Sequence, residues 1–180
     1  MNNCSIYSHN APMPREKFSQ LYRIMEYSFP VTERGSEAMH YSEFDRPEFR
    51  CLCYEPDGIP EAFLNYFDFA EDNIIFVEHF AVAKELRGQG TGSVLMSYLK
   101  EITSPSLIVL EVEPPDGETE RRRISFYQRL GFYLNDGSYF QPEYYGRSPA
   151  IPLRLMTTEP LDTDAFVKVR NLIYKKVYKQ

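Results

Sequence analysis

The 180-residue chain contains no apolar run approaching the ~18 consecutive residues that a membrane-spanning helix needs, so no membrane partner is expected. Its first ten residues, Met1 to Asn10, have neither a basic start nor an apolar stretch, so no secretory signal is expected. Basic residues are in deficit, with 20 Lys and Arg against 26 Asp and Glu and a formal net charge of −6. That balance argues against nucleic acid, which binds through a basic field, and mildly favours a cationic partner. The one basic stretch, Lys168, Arg170, Lys175, Lys176 and Lys179, reads as a solvated helix face. Cysteine is scarce and odd in number: Cys4, Cys51 and Cys53 lack metal-ligand spacing, and no metal is expected. Cys51 and Cys53 lie two apart in a strand-like run and therefore share a face, which suits packing, and a reducing cytoplasm is the simplest compartment. What remains is ordinary for a globular chain, 43% apolar and 26% charged, enough for one α/β domain over residues 1–180.

Pro14 opens a first helix whose stripe is Phe18, Leu21, Tyr22, Met25 and Phe29, ending at Pro30. A weaker helix is expected from about Glu33 to Tyr41, and Arg46-Pro47 breaks the chain. Glu48 to Tyr54 and Glu61 to Phe69 read as a hairpin around Pro56-Asp57-Gly58. After the turn Glu71-Asp72-Asn73, Ile74 to Val82 forms a strand rich in β-branched and aromatic residues. The period then changes: Val94, Leu95, Tyr98, Leu99 and Ile102 recur at helical spacing until Pro105. Leu107 to Val112 is a buried strand. Thr119 is the expected N-cap of a helix to Leu130, with Gly131 as its stop. Phe132 to Leu134 and Ile151 to Met156 are further strands, and Asp162 to Tyr178 is a closing helix. The order is helices, antiparallel strands, then β-α-β-α-β: an α/β (α+β) fold with a mixed, mostly antiparallel twisted sheet flanked by helices.

Nine glycines are thinly spread, yet Gly88, Gly90 and Gly92 alternate between a strand and a helix. Glycine reaches positive φ and lacks a Cβ, so a ligand can approach the main chain. The first amides of the following helix have no internal partner and, with the helix dipole, suit a phosphate. Lys84 and Arg87 add positive charge at the mouth. The alternative is a flexible turn with chance glycines. A dinucleotide fingerprint fails because Ser93 stands where its third glycine belongs, and a P-loop fails for want of Gly-Lys-Ser/Thr.

Arg87-x-x-Gly90-x-Gly92 resembles the (Gln/Arg)-x-x-Gly-x-(Gly/Ala) signature of the GNAT superfamily of N-acetyltransferases. The preceding H-F-A-V resembles that family's central strand, and I-S-F-Y-Q-R-L-G-F (Ile124 to Phe132) its later helix-to-strand motif. The resemblance covers roughly Ile74 to Leu134, and the region of about residues 14–45 corresponds to the family's variable acceptor side. It implies acetyl-CoA as donor, held through its pyrophosphate by the amides of Arg87, Gly88, Gln89, Gly90, Thr91 and Gly92. The pantetheine arm would lie on main-chain groups of Phe80, Ala81 and Val82.

Acetyl transfer to an amine needs a base for the arriving ammonium. Glu78 is the first candidate, a carboxylate in an apolar strand where partial burial favours its protonated form. Strict alternation puts it on the face of Phe76 and Phe80 and puts His79, also a possible base, on the opposite face. Glu111 and Glu113, on one face of the next strand, are reserves as base or as anchors for a cationic acceptor. The resemblance makes Tyr127 the proton donor to the leaving thiolate, although the chain has 14 tyrosines and a helical one usually packs. Many members carry an asparagine and a small residue before this tyrosine, where this chain has Glu120-Arg121-Arg122-Arg123. Arg123 either points away or shapes the site, and Glu118 to Arg122 offers a simple i,i+4 pair.

The acceptor is read only as a small-molecule or peptide amine. Glu33, Glu37, Glu43, Asp45 and Glu48, interleaved with Tyr41 and Phe44, suit a cation or an exposed loop equally well. Tyr139 to Pro152 is a candidate lid or dimer contact, so the chain is expected to be monomeric or homodimeric. Beside the enzyme stand a non-catalytic acetyl-CoA sensor and an interaction protein whose glycine turn is structural only.

Overall fold

The computed structural model describes residues 3–31, 34–142 and 150–180. They form two compact units, Met1–Pro105 and Ser106–Gln180. The element types follow the expected α/β (α+β) class: antiparallel strands with helices packed on them in each unit. No helix among the described residues is long and apolar enough to cross a membrane.

In the first unit, β1 (Cys4–Ser8), β2 (Phe49–Tyr54), β3 (Ala62–Phe69) and β4 (Ile74–Val82) pair antiparallel in chain order. The β2–β3 hairpin and β4 lie where the alternation and β-branched content put them. The turns are made by left-handed Asp57 and Gly58 in one case and left-handed Asn73 in the other. β1 escaped the sequence reading because it has five residues, all half-buried or exposed, and so no apolar signature. Cys51 and Cys53 are both fully buried, and burial pushes both thiols up, as expected of packing residues.

Helix α1 (Arg15–Ser28) buries Phe18, Leu21, Tyr22, Ile24 and Met25 and packs on β3 and β4. Helix α2 (Glu37–Ser42) is shorter than the sequence suggested: Ser36 is its N-cap, accepting from the Met39 amide at 3.3 Å, and Glu33 lies outside the described residues. Rings hold this layer to the sheet in series. Phe18 meets Tyr41 at 5.1 Å, Tyr41 meets Phe44 at 5.5 Å, Phe44 meets Phe49 at 5.1 Å and Phe49 meets Phe67 at 5.6 Å, all edge-on. Each such pair contributes about 0.5–1.5 kcal/mol beyond area burial. Helix α3 (Thr91–Ile102), with Leu95, Met96 and Leu99 buried, packs on β2, β3 and β4.

In the second unit, β5 (Leu107–Val112) and β8 (Ile151–Thr157) pair antiparallel, and β8 also pairs with β6 (Tyr133–Leu134) and β7 (Tyr139–Gln141). Helix α4 (Glu118–Arg129) starts one residue before the expected cap. Gly117 is its N-cap, and the Glu120 carboxyl folds back into the space a Cβ would fill there, so Thr119 falls inside the first turn. Helix α5 (Thr163–Lys176) is capped by Asp162, which accepts from the Ala165 amide at 2.8 Å. Half of the expected lid segment, 143–149, lies outside the described residues.

The α4 exit depends on Gly131. Its φ of 82° lets the Gly131 amide reach Gln128 O and the Phe132 amide reach Tyr127 O, each at 3.0 Å, the two bonds of a Schellman stop. Gly131→Ala forces an L side chain into the left-handed region and is expected to cost about 1–2 kcal/mol, measurable as a lowered urea midpoint with unchanged m-value.

Candidate active site

The glycine turn follows β4 through a single helical turn, Lys84–Leu86. Gly88 and Gly90 have φ of 79° and 88°, and a Cβ at either would meet nothing within 4 Å. Glycine is therefore required by the dihedral, with open space above it. Gly90 is the N-cap of α3, and its carbonyl accepts from the Val94 amide at 3.0 Å. The amides of Thr91, Gly92 and Ser93 precede that first helical bond and lack an intrahelical acceptor. The turn is exposed from Arg87 to Gly90 and half-buried from Thr91 to Ser93, a set of oriented donors with the positive end of α3 behind it.

Arg87, expected to add positive charge at the mouth, also makes hydrogen bonds within the protein. Its Nε donates to the Val82 carbonyl at 3.0 Å and its Nη2 to Ser28 Oγ at 3.0 Å, bracing the turn against the ends of β4 and α1. The exposed ring of Tyr27 lies under both cations, 5.7 Å from the Arg87 guanidinium and 4.6 Å from Lys84 Nζ. Gln89 Nε2 donates to the Glu85 carbonyl at 2.6 Å and closes the turn on itself.

Glu78 sits at an irregularity that alternation does not foresee. In the β3–β4 ladder Asn65 faces His79 and Tyr66 faces Val77, so Glu78 is an extra residue between them. Such a bulge re-aims the side chains around it. Residues directly paired in an antiparallel ladder share a face, as do residues two apart in a strand. Phe76 pairs with Phe67, and Asn65 lies two residues from Phe67. His79 is thereby carried onto the face of Phe76, and the expected opposition between Glu78 and His79 is lost. Their side chains meet, with His79 Nδ1 3.3 Å from Glu78 Oε2 and each side chain 6% exposed.

The surroundings of this pair come from α1 and α2. Phe29, at the end of α1, approaches the His79 ring edge-on at 4.9 Å, and His40 of α2 does so at 5.0 Å. His40 Nε2 accepts from the Gly35 amide at 3.1 Å. Burial first, then the neighbouring His79 and the Arg34 guanidinium, push the His40 imidazole down to about 4, against the pull of Glu78. The sequence reading did not single out His40; a histidine in Glu37-Ala38-Met39-His40-Tyr41-Ser42 carries no motif, and only tertiary burial distinguishes it. Tyr41 and Phe44, expected as aromatic partners of a cationic acceptor, are already engaged. The Arg15 guanidinium lies 3.6 Å over the Tyr41 ring, and Phe44 is in the core.

In the second unit, Tyr127 is buried on α4 between Phe126 and Phe132, and burial pushes its phenol up to about 12. Glu111 of β5 accepts from the hydroxyls of Tyr139 and Tyr178 and from Gln141 Nε2. Glu113 pairs with Arg123. Arg121 Nη1 donates to the carbonyls of Pro115 and Asp116 at 3.0 and 3.1 Å and so ties down the loop before α4.

The profile of the "Acetyltransferase (GNAT) domain" family matches residues 47–134. A GNAT-family protein of Bacteroides thetaiotaomicron has the same structure with a TM-score of 0.85, at 31% identity over 98% of both chains. The chain belongs to the GNAT family of acetyltransferases. The Bacillus subtilis (strain 168) protein named "Putative acetyltransferase YjbC" is 38% identical over 113 residues, which are 61% of this chain and 54% of that protein, about half its length. An aminoglycoside 6'-N-acetyltransferase complexed with coenzyme A shares the GNAT fold at a TM-score of 0.59 and 16% identity, over 88% of this chain and 98% of that one.

His40 links the site to stability. An unfolded histidine titrates near 6.5, whereas the folded His40 is held at about 4, so on acidification the unfolded chain takes the proton first. The His40 contribution is present above about pH 6.5 and is lost towards pH 4, a change of about 3 kcal/mol. Urea unfolding at pH 7 and pH 5 should show about 2 kcal/mol of this loss, and His40→Gln should flatten it.

Proposed function

We propose that this chain is an acetyl-CoA-dependent N-acetyltransferase that moves an acetyl group onto a primary amine of a small molecule or peptide by direct attack on the thioester. The observation that carries the reading is the glycine turn of Gly88 to Gly92, whose amides head α3 after a strand bearing a largely buried carboxylate. The pyrophosphate of the coenzyme takes the amides of Thr91, Gly92 and Ser93 and the turn from Arg87 to Gly90. The bond from Arg87 to the Val82 carbonyl fixes the end of β4 to this cradle, and main-chain groups of Phe80, Ala81 and Val82 are assigned to the pantetheine arm.

Glu78 is assigned as the base. It removes a proton from the ammonium, directly or through one water, so that the nitrogen lone pair can attack the thioester carbon. Glu78 lies in the strand that leads into the glycine turn, whereas Glu111 is held by three donors and Glu113 by Arg123 in the other unit, and on that placement Glu78 is preferred. Tyr127 is assigned to the leaving sulfur. A phenol held at about 12 does not give up its proton to a thiolate whose conjugate acid lies near ~8.5. It stabilises that thiolate by a hydrogen bond, and solvent completes the protonation.

Release of free thiol from acetyl-CoA in the presence of an amine panel tests the activity. Thermal stabilisation by acetyl-CoA without thiol release for any amine would instead indicate a sensor, and no stabilisation at all would remove the coenzyme reading. Glu78→Gln should move the rising limb of the pH–rate profile to higher pH and leave stabilisation by acetyl-CoA unchanged; an unaltered profile removes Glu78 as base. Tyr127→Phe should lower kcat about tenfold, the worth of one hydrogen bond to a charged group, with little change in KM.

A further inference from the structure

The end of α1 meets the donor side of the first unit through three consecutive residues. The Tyr27 ring lies 4.6 Å from Lys84 Nζ and 5.7 Å from the Arg87 guanidinium. Ser28 Oγ accepts from Arg87 Nη2 at 3.0 Å, and Phe29 meets the His79 ring edge-on at 4.9 Å. Tyr27 and Ser28 are not among the buried residues of α1, Tyr27 being exposed and Ser28 half-buried. Core packing therefore does not account for their contacts with the turn.

We infer that Ser28 is a positioning residue of the donor site: it holds the Arg87 guanidinium, and through it the glycine turn, in the arrangement that takes the coenzyme pyrophosphate. The inference rests on the assignment of that turn to acetyl-CoA. Three observations carry it. The guanidinium is planar, and it is held at two points of its edge, Nε on the Val82 carbonyl and Nη2 on Ser28 Oγ, each at 3.0 Å. The turn's own backbone bonds beside Arg87 are longer, 3.3 Å from the Arg87 amide to the Lys84 carbonyl and 3.3 Å from the Gln89 amide to the Leu86 carbonyl. Glycine-rich backbone with open space over Gly88 and Gly90 would lose much freedom on ligand binding unless it were tied down beforehand. Lastly, among the described residues both hydrogen-bond partners of this guanidinium are uncharged. A carboxylate would grip it more strongly, but would set a negative charge beside an anion site.

A role confined to ending α1 is not needed. The helix already stops on its backbone, with the Phe29 amide donating to the Met25 carbonyl at 3.0 Å. The Ser28 hydroxyl instead reaches a residue 59 positions later in the chain. Loss of that hydroxyl at a half-buried site with an exposed partner is expected to act on the turn far more than on folding.

Titration calorimetry of the full chain with acetyl-CoA, with no acceptor present, reads the donor site directly. Ser28→Ala should weaken binding about tenfold, as for one lost bond to a charged group, while the urea midpoint without ligand stays at the wild-type value. Ser28→Thr keeps a hydroxyl acceptor and should restore the affinity. Because Ser28 acts through Arg87, Ser28→Ala should add nothing in an Arg87→Ala background. Affinity indifferent to Ser28→Ala, a failure of Ser28→Thr to restore it, or an undiminished effect in the Arg87→Ala background overturns the inference. Should Ser28→Ala not fold, Arg87→Lys decides: lysine keeps the charge without the fork that spans two acceptors, so binding should weaken, and unchanged affinity overturns the inference. A wild-type chain that does not bind acetyl-CoA removes the coenzyme reading and this inference together, whereas wild-type binding that ignores Ser28 removes this inference alone.

Discussion

One extra residue in β4 governs the proposed chemistry of the first unit. A nine-residue strand with unbroken alternation would keep Glu78 and His79 on opposite faces of the sheet. The slip between the Asn65–His79 and Tyr66–Val77 pairs removes that opposition. It places an ionisable pair beside the end of α1 and the middle of α2, with the rings of Phe29 and His40 edge-on to the imidazole. The bulge costs ladder hydrogen bonds, and the edge-on ring series from Phe18 to Phe67 is the kind of packing that offsets such a cost nearby. Local irregularity is kept where the surrounding core over-determines it.

The glycine turn obeys a different constraint. Gly88 and Gly90 are required by left-handed dihedrals and not by crowding, which leaves room over the amides of the first turn of α3. Arg87 spends its guanidinium on Val82 and Ser28. The cradle is thus a backbone site held rigid by a side chain, and its affinity for an anion comes from oriented N–H groups and the helix end. The cost of ordering the turn is met before any ligand arrives, which is what preorganisation means for binding.

Legibility in the sequence followed physical type. β4 and β5 were plain because apolar, β-branched runs of strand length admit few other readings, and the α4 stop was plain because Gly131 is demanded by backbone sterics. β1 was not legible: Cys4 to Ser8 sits half-exposed beside β2 and its pairing comes from the partner strand. The α4 cap was misread because Thr119 is a better cap by type than Gly117, while the fold uses the missing Cβ to admit the Glu120 carboxyl. Glu78 and the glycine turn stood out as a charge in an apolar strand and a motif with fixed spacing. The bulge left no trace, since a single added residue changes register without changing composition. His40 was invisible for the same reason: its role depends on the Gly35 amide and the His79 ring, neither of which its own segment announces.

The two carboxylate-bearing strands show why alternation alone could not rank the candidate bases. In β5, Glu111 and Glu113 keep the period of two, and each finds partners on its own unit: three donors for Glu111 and Arg123 for Glu113. In β4 the neighbour of Glu78 is an imidazole, with His79 Nδ1 3.3 Å from Glu78 Oε2. A carboxylate proposed as base needs a setting that excludes bulk water and still holds its geometry. The bulge brings the adjacent residue of the same strand against the carboxylate, a juxtaposition that an unbroken alternation would have prevented.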